Sequence, residues 1–297
     1  MLQLMSHSYD PDSQSGVIVE SGEKAYTVRL RIPAGIVTPH QLQGIADAAE
    51  RYGGGGIHLT TRQTIEIPHV PEENLQALGI ALEENGTPFG AEYLNVVNVT
   101  ACPGIERCRL ANIDAIPFAL RMDKKYFGRE MPVKTRIGIS ACPNSCVSER
   151  LCEVGVTGLL KPVRHPEQCT GCGACVEHCL EDALEVKNGI VVLNDERCIR
   201  CGACVHTCPY GVITAGDPVY EITFGGRRGR HPKIGRHLVT VNSLEAAEIA
   251  VDEAMYRIYR QAVGTHLLAD QLDEIGFDRI VKSVIAKLPE GSLVEQY

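Results

Sequence analysis

Cysteines are the residues of this 297-residue chain whose type and spacing most clearly indicate chemistry, and there are thirteen of them. Reduced thiols in patterned groups are typical of metal ligands, whereas disulfide frameworks belong to oxidising compartments. Twelve fall into three groups of four, and Cys152 is left over. Four thiolates are what one cubane iron–sulfur cluster takes. The pattern therefore predicts three tetrathiolate sites.

Two of the groups lie in residues 165–214, where short glycine turns and weak periodicity are consistent with an insertion. Residues 169–179 are CTGCGACVEHC and residues 198–209 are CIRCGACVHTCP. Both have the spacing of bacterial two-cluster ferredoxins, in which the fourth cysteine of each run ligates the other cluster. A zinc site is the alternative, and the doubled pattern disfavours it. The predicted ligand sets are Cys169, Cys172 and Cys175 with Cys208, and Cys198, Cys201 and Cys204 with Cys179.

The third group has a different spacing. Five residues separate Cys102 from Cys108, and three separate Cys142 from Cys146. Each pair follows a predicted strand, so two strand-to-helix junctions would supply the four thiolates. On spacing alone, an ordinary third cubane and a chance grouping of core thiols stay open.

The segments TACPGIERCRLAN (100–112) and SACPNSCVSER (140–150) resemble the paired cysteine motif of the siroheme-containing sulfite and nitrite reductases. In that family the motif holds a [4Fe–4S] cluster, and its last cysteine also ligates the siroheme iron. A shared thiolate gives electrons a short covalent path to a haem iron. The resemblance implies four cluster ligands, Cys102, Cys108, Cys142 and Cys146, with Cys146 as the bridge and Asn144 beside the macrocycle.

A strand predicted at residues 57–70 carries the first basic residue of interest. Its segment HLTTRQTIEI resembles the family's TTRQ strand, which implies that Arg62 faces the siroheme and its anionic ligand. On a continuous strand, alternation would place one set of polar side chains on the same face. That set is His58, Thr60, Arg62, Thr64 and Glu66.

Lys134 and Arg136 share one face of a strand predicted at 133–140. The segment PVKTRIGIS resembles the family's Lys-x-Lys strand, which implies that both cations bind the substrate and stabilise charge that develops as S–O bonds break. Arginine donates a proton far less readily than lysine, so Lys134 is the better proton donor. A surface position is the alternative for Arg136. Val97 stands where many members have a substrate arginine.

A third basic stretch, GGRRGRHPKIGR (225–236), lies in an otherwise acidic chain. Siroheme carries many carboxylates, which need cationic or amide donors. The resemblance implies that Arg227 and Arg228 bind siroheme, and it makes Arg29 and Arg31 of VRLRIPAG further candidates. A solvated basic loop is the alternative.

The elements that must position these residues alternate between strands and helices. Strands are predicted at 25–35, 57–70, 93–102, 133–140, 219–226 and 237–242, and helices at 38–51, 71–84, 105–116 and through most of 243–288. Thr38 and Gln41 have the form of a capping box.

The expected fold class is α+β: a sulfite/nitrite reductase half-unit, made of a ferredoxin-like α+β domain and a siroheme/Fe–S α/β domain, with an inserted bacterial two-cluster ferredoxin. The expected boundaries are 1–86 for the ferredoxin-like half-domain, 87–164 for the first part of the siroheme and [4Fe–4S] domain, 165–214 for the insert and 215–297 for the second part with its C-terminal helices.

By resemblance the chain is a small, single-copy member with the inserted ferredoxin, similar to subunits of dissimilatory and anaerobic sulfite reductases. The predicted activity is six-electron reduction of sulfite to sulfide, with siroheme and three [4Fe–4S] clusters as cofactors. Nitrite reduction to ammonia and a non-catalytic siroheme/Fe–S electron-transfer subunit are the alternatives. Large members hold the cofactor between two copies of the unit. One copy therefore implies a homo-oligomer or a heteromeric complex, besides an electron-donor protein or subunit. A monomer with a more open site is the alternative.

Composition and hydropathy argue against other classes. A net charge of −8 opposes general affinity for nucleic acid or anionic membranes. The stretch MLQLMSHSYDPDSQSG has no basic region followed by an apolar run, and no segment approaches the length of a transmembrane helix. We therefore expect a cytoplasmic protein without a membrane span.

Overall fold

The computed structural model describes residues 16–21, 25–264 and 266–294. The first fifteen residues, where we expect no signal sequence, lie outside this part. The strands in chain order are β1 (Val17–Val19), β2 (Tyr26–Arg29), β3 (His58–Leu59), β4 (Ile65–Val70), β5 (Val96–Ala101), β6 (Thr135–Ser140), β7 (Val154–Arg164), β8 (Leu184–Lys187), β9 (Ile190–Leu193), β10 (Ile213–Phe224) and β11 (Arg236–Val241). The helices are α1 (Pro39–Tyr52), α2 (Leu75–Glu84), α3 (Ala115–Tyr126), α4 (Ala174–Glu177), α5 (Ala203–Thr207), α6 (Leu244–Gln261), α7 (Leu268–Ile275) and α8 (Phe277–Ile285). The expected α+β class is confirmed.

The N-terminal part is a four-stranded antiparallel sheet in the order β1-β2-β4-β3. Helices α1 and α2 bury apolar faces in the same core as the strands, with Ile45 and Leu78 fully buried. The predicted capping box is present, since Thr38 Oγ1 accepts from the Gln41 N–H and Gln41 Oε1 accepts from the Thr38 N–H. Both donors would otherwise be unpaired at the helix start.

The central sheet has five strands in the order β11-β10-β7-β6-β5. Strands β5, β6 and β7 are parallel to one another, whereas β10 pairs antiparallel with both β7 and β11. Parallel neighbours end at the same edge of a sheet. Cys102 follows β5 directly and Cys142 lies two residues after β6, so the sheet brings both cysteine motifs to one edge.

The insert contains the two-stranded sheet β8–β9 and the short helices α4 and α5. Its own small apolar core consists of Cys175, Leu184, Val191 and Ile213. After β11, the C-terminal stretch is helical as predicted and forms three helices, and Gly276 ends α7 with a positive φ of 86°. None of the helices in the described ranges is long and apolar enough to cross a membrane.

Two sequence-based predictions of local structure are wrong. Residues 57–70 form a hairpin rather than one strand, because the chain turns at 60–64, where Gln63 takes a φ of 57°. The single alternating face expected for His58, Thr60, Arg62, Thr64 and Glu66 therefore does not exist. Residues 105–112 form turns, and α3 begins only at Ala115. Pro117 lies in its first turn, where a missing N–H costs no helical hydrogen bond.

Candidate cofactor and substrate site

The four cysteines of the two junction motifs converge at the carboxyl ends of β5 and β6. Cys102 and Cys142 are buried, Cys108 is partly exposed and Cys146 is exposed. Burial raises the pKa of the Cys142 thiol, and the nearby Cys102, Cys108 and Cys146 thiols raise it further. The Ala141 N–H donates to Cys102 Sγ at 3.1 Å. We call these four thiols the junction site.

A fully buried carboxylate fixes the loop that carries Cys146. Glu149 has 0% of its surface exposed and accepts from Ser140 Oγ at 2.6 Å, Ser145 Oγ at 2.7 Å and Thr157 Oγ1 at 2.8 Å. Since Ser145 lies between the two cysteines of the motif, Glu149 ties their turn to the sheet.

Within residues 165–214, where an insert is expected, the structure brings together the four cysteines of each predicted set. Each set lines an open cavity, whose empty volume, with the solvent at its mouth, is about 360 Å³ in one case and about 330 Å³ in the other. The first cavity also touches Pro162 of β7, whereas residues between 169 and 213 alone line the second. We call the first set the inner site and the second the outer site. The inner site is Cys179, Cys198, Cys201 and Cys204, and the outer site is Cys169, Cys172, Cys175 and Cys208.

Among the described residues, no three Cys, His, Asp or Glu side chains converge on a point that would hold one metal ion. Backbone N–H groups donate to sulfurs at both sites, from Ala183 to Cys179 at 3.4 Å and from Val212 to Cys208 at 3.3 Å. Such donors stabilise thiolate charge and tune cluster potentials.

Five cations gather beside the junction site, and we call them the cation cluster: Arg29, Arg62, Lys134, Arg136 and Arg228. Glu92 contacts three of them, since its carboxylate lies against Arg29, 2.8 Å from Arg62 Nη1 and 3.7 Å from Lys134 Nζ. Arg29 Nε also donates to Glu66 at 2.8 Å.

Arg136 and Glu153 form a two-pronged ion pair, with Nε and Nη2 donating at 2.9 and 2.6 Å. Burial alone would lower the pKa of Arg136, but these hydrogen bonds raise it above its ordinary value. Arg136 therefore stays charged and fixed in direction.

Arg62 and Lys134 have lowered pKa values. Burial, Arg29 and Arg136 lower the pKa of Arg62 to about 10. Burial, then Arg62, Arg29 and Arg136, lower the pKa of Lys134 to about 8. Like charges at close range disfavour the protonated form. Both shifts show that the three predicted catalytic cations share one electrostatic environment.

Arg228 connects the cation cluster to the junction site. Its Nη2 donates to the carbonyls of Val147 and Ser148 at 2.7 and 3.2 Å, directly after Cys146. Its Nε is buried and has no hydrogen-bond partner among the described residues. The five cations face three carboxylates, Glu66, Glu92 and Glu153, which leaves an excess of two positive charges. A polycarboxylate macrocycle beside the exposed Cys146 and Asn144 fits this donor set.

The family models match both parts of the chain. Residues 19–85 match the nitrite/sulfite reductase ferredoxin-like half domain, and residues 92–291 match the nitrite and sulphite reductase 4Fe-4S domain. This chain belongs to the nitrite and sulfite reductase family. Membership makes it an oxidoreductase that uses an iron–sulfur cluster and siroheme.

Individual relatives of this reductase come from bacteria and archaea. A subunit of the anaerobic sulfite reductase of Salmonella typhimurium is 34% identical over 70% of this chain and 67% of its own length. An uncharacterised protein of Methanocaldococcus jannaschii is 32% identical over 91% of this chain and 94% of its own length. The coenzyme F420-dependent sulfite reductase of that archaeon is 29% identical over 91% of this chain and 44% of its own length.

Solved structures agree with the fold of the reductase. Dissimilatory sulfite reductase I superposes with a TM-score of 0.72 at 18% identity, covering 92% of this chain and 72% of that one. Mycobacterium tuberculosis NirA superposes with a TM-score of 0.58 at 18% identity, covering 93% and 42%.

Two of the predicted siroheme ligands lie apart from the cation cluster. Arg31 pairs with Asp123 at 3.0 Å through Nε and stacks on Phe127, 4.8 Å from the ring centre. Arg227 binds both carboxylate oxygens of Asp270 at 2.9 and 2.7 Å. The structure therefore does not bring these two arginines together with the other predicted site residues.

Several residues of this site were not identified from the sequence: Gln63, Glu92, Glu149 and Glu153. The amide of Gln63 donates to the Ala101 carbonyl at 2.6 Å and accepts from the Ala101 N–H at 2.8 Å. Because Arg62 precedes Gln63 and Cys102 follows Ala101, this pair of hydrogen bonds links the TTRQ turn to the junction site. The glutamine of the TTRQ motif was the available signal.

Proposed function

We propose that this reductase catalyses the six-electron reduction of sulfite to sulfide. The observation that carries the proposal is the cation cluster beside the exposed Cys146. An excess of positive charge in a partly buried site attracts a small oxyanion and stabilises charge that shifts onto its oxygens during reduction. The names of relatives that are sulfite reductases support this substrate.

The protein groups have distinct roles in this proposal. Arg62 and Arg136 bind the oxyanion, and Glu92 and Glu153 hold the two guanidinium groups in place. Lys134 supplies protons as oxygen leaves as water, because a pKa of about 8 lies close to neutral pH. The carboxylate of Glu92, 3.7 Å from Lys134 Nζ, keeps the ammonium group directed into the cluster.

We further propose that the chain binds siroheme and three [4Fe–4S] clusters. Cys146 would hold both the junction cluster and the siroheme, and the siroheme would supply the redox chemistry at this site. Arg228 and Arg29 would bind its carboxylates, and Asn144 would lie beside the macrocycle. Arg31 and Arg227 are instead held by Asp123 and Asp270. The inner and outer sites hold the remaining clusters.

In the proposed organisation, residues 1–86, 87–164, 165–214 and 215–297 are the successive parts predicted from the sequence. The site is completed by a second copy or another subunit. Exposed apolar side chains on the neighbouring elements support this arrangement, with Leu59 75% and Tyr93 72% exposed. Tyr93 follows Glu92 directly, so the rim of the cation cluster carries apolar surface suited to a protein contact.

Nitrite reduction to ammonia is a second candidate because of one observation. Val97 is 3% exposed and apolar at the position where many family members have a substrate arginine. One cation fewer suits a smaller, singly charged anion.

Anaerobic spectroscopy and kinetics test the proposal. The purified protein should show a siroheme band and about thirteen irons per chain, about twelve from three cubanes and one from siroheme. With reduced viologen it should reduce sulfite faster than nitrite. A preference for nitrite would make nitrite the substrate instead of sulfite. Activity with neither anion would indicate a non-catalytic electron-transfer subunit. A missing siroheme band would contradict the proposal.

Cys146→Ser tests the bridge. The variant should lose coupling between siroheme and the junction cluster in electron paramagnetic resonance (EPR) spectra, while the signals of the inner and outer clusters stay. Cys152→Ser is the matched control, because that thiol belongs to none of the three ligand sets. Unchanged coupling in Cys146→Ser would show that another residue forms the bridge.

A further inference from the structure

The side chain of Asn112 lies between the junction site and the inner site. It follows Cys108 by four residues, in a turn where the Ala111 N–H donates to the Cys108 carbonyl at 3.0 Å. The Asn112 N–H donates to the Ala141 carbonyl at 2.8 Å, and the Ala141 N–H in turn donates to Cys102 Sγ. The backbone of Asn112 is thus hydrogen-bonded within both cysteine motifs of the junction site.

The side-chain amide of Asn112 points the other way. Nδ2 donates to the Gly158 carbonyl at 3.2 Å and, in a longer hydrogen bond, to the Cys201 carbonyl at 3.4 Å. A Cβ at Gly202 would lie 2.9 Å from Asn112 Oδ1, so the glycine after Cys201 lets the two loops meet. One residue therefore contacts the ligand loops of two different sites.

The inner site is also held directly against the central sheet. Leu160 of β7 pairs with Cys201, and its N–H donates to the Arg200 carbonyl at 2.8 Å. The outer site contacts only the last residue of β7, since Arg164 pairs with Ile213 and donates to the Val191 carbonyl at 3.3 Å, and its ligand Cys172 is exposed. The two insert sites are therefore not equivalent: the outer one faces solvent and the inner one adjoins the junction site.

We propose that electrons leave the insert through the inner site and that Asn112 is the positioning residue that holds this site against the junction site. The proposal rests on the proposed function, because it assumes that all three sites hold clusters. In the step itself, one electron passes from the reduced inner cluster, which is oxidised, to the junction cluster, which is reduced. No covalent bond changes, and an external one-electron donor first reduces the outer cluster.

Asn112→Leu removes the amide at similar size and tests the proposal. The reductant is dithionite-reduced methyl viologen, mixed anaerobically with the fully loaded protein. Freeze-quench EPR follows the junction cluster, and stopped-flow absorbance follows the insert clusters. The insert clusters should be reduced at the wild-type rate, while the junction cluster should be reduced several-fold more slowly, because the rate of electron tunnelling falls several-fold for each ångström added between the two clusters.

Asn95→Leu is the matched control, because Asn95 Nδ2 also donates to a loop carbonyl, that of Gly128 at 3.1 Å, at the other end of β5. It should leave both rates unchanged. Iron and sulfide content must equal the wild-type values, and if Asn112→Leu loses iron, Asn112→Ala is measured in its place. A merely structural role would lower cluster content and leave the rate in loaded protein unchanged.

Two outcomes would overturn the proposal: junction-cluster reduction at the wild-type rate in the fully loaded variant, or equal slowing of the insert clusters. Failure of the proposed function is a separate result. Wild-type protein that reduces neither sulfite nor nitrite would refute the reductase assignment, while transfer from the inner cluster to the junction cluster would still be measured.

Discussion

Replacing Lys134 gives the sharpest test of the substrate site. A group with a pKa of about 8 is about nine-tenths protonated at pH 7 and about one-tenth protonated at pH 9. If the protonated form is the one that reacts, kcat should fall about tenfold across that interval. Lys134→Arg keeps the positive charge but does not release a proton near neutral pH. The variant should not show this fall in kcat, which is the alkaline limb of the pH–rate profile. At pH 7 its kcat should be about 100-fold lower than that of the wild type, and its KM should change little.

A second substitution moves the limb instead of removing it. The cation of Arg136 is one of the causes that lower the pKa of Lys134, and Arg136 also neutralises Glu153. Arg136→Gln takes away the cation and leaves the carboxylate unpaired. Both changes raise the pKa of Lys134, so the alkaline limb should move to higher pH.

Initial rates with sulfite and reduced viologen, measured anaerobically from pH 6 to 10, check both variants. Lys125→Arg is the control, because that lysine pairs with Asp252 on the surface between α3 and α6. The same substrate titrates in every assay, so differences between variants belong to the protein. If Lys134→Arg keeps the wild-type alkaline limb, Lys134 is not the proton donor.

Two further predictions concern the residues that position the junction site. Gln63→Leu removes two hydrogen bonds to Ala101, worth about 1 kcal/mol each, and should speed the release of iron to a chelator. The control Gln43→Leu, at an exposed position, should release iron at the wild-type rate. Equal release rates in the two variants would mean that Gln63 does not support the site. Glu149→Gln replaces one carboxylate oxygen, which accepts from buried hydroxyl groups, by an NH2 group that cannot accept. The variant should be less stable by about 3 kcal/mol, which lowers Tm by about 6–12 °C in a calorimetric scan. An unchanged Tm would show that the Glu149 carboxylate adds no net stability.

Local signals made some elements predictable. The start of α1 was found because the capping box involves residues only three apart, Thr38 and Gln41. The hairpin at residues 57–70 was missed because its turn contains no glycine, proline or asparagine, and Gln63 supplies the positive φ instead. The start of α3 was misplaced because proline commonly ends a helix, whereas Pro117 lies in a first turn, where proline is tolerated.

The cysteine sets were predictable since ligand spacing is local, and the structure gathers each set as expected. The carboxylates that organise the cations were not, because they come from distant parts of the chain. Glu92 lies 30 residues from Arg62 and Glu153 lies 17 residues from Arg136. No periodic pattern marks such pairs. The role of Asn112 likewise could not be predicted from the sequence, because it depends on where β7 places Cys201.

The small core of the insert has a consequence for how the protein matures. Beside its ligand cysteines, that core contains only a few apolar side chains, among them Leu184, Val191 and Ile213. So little buried surface does not hold a segment of this size without metal. On the proposed assignment, loading the two insert clusters and folding the insert are one process, whereas the central sheet has a large core of its own. Oxidative loss of these clusters would then unfold the insert and stop electron transfer to the junction site. The substrate site would keep its structure, so rebuilding the two clusters would restore electron transfer.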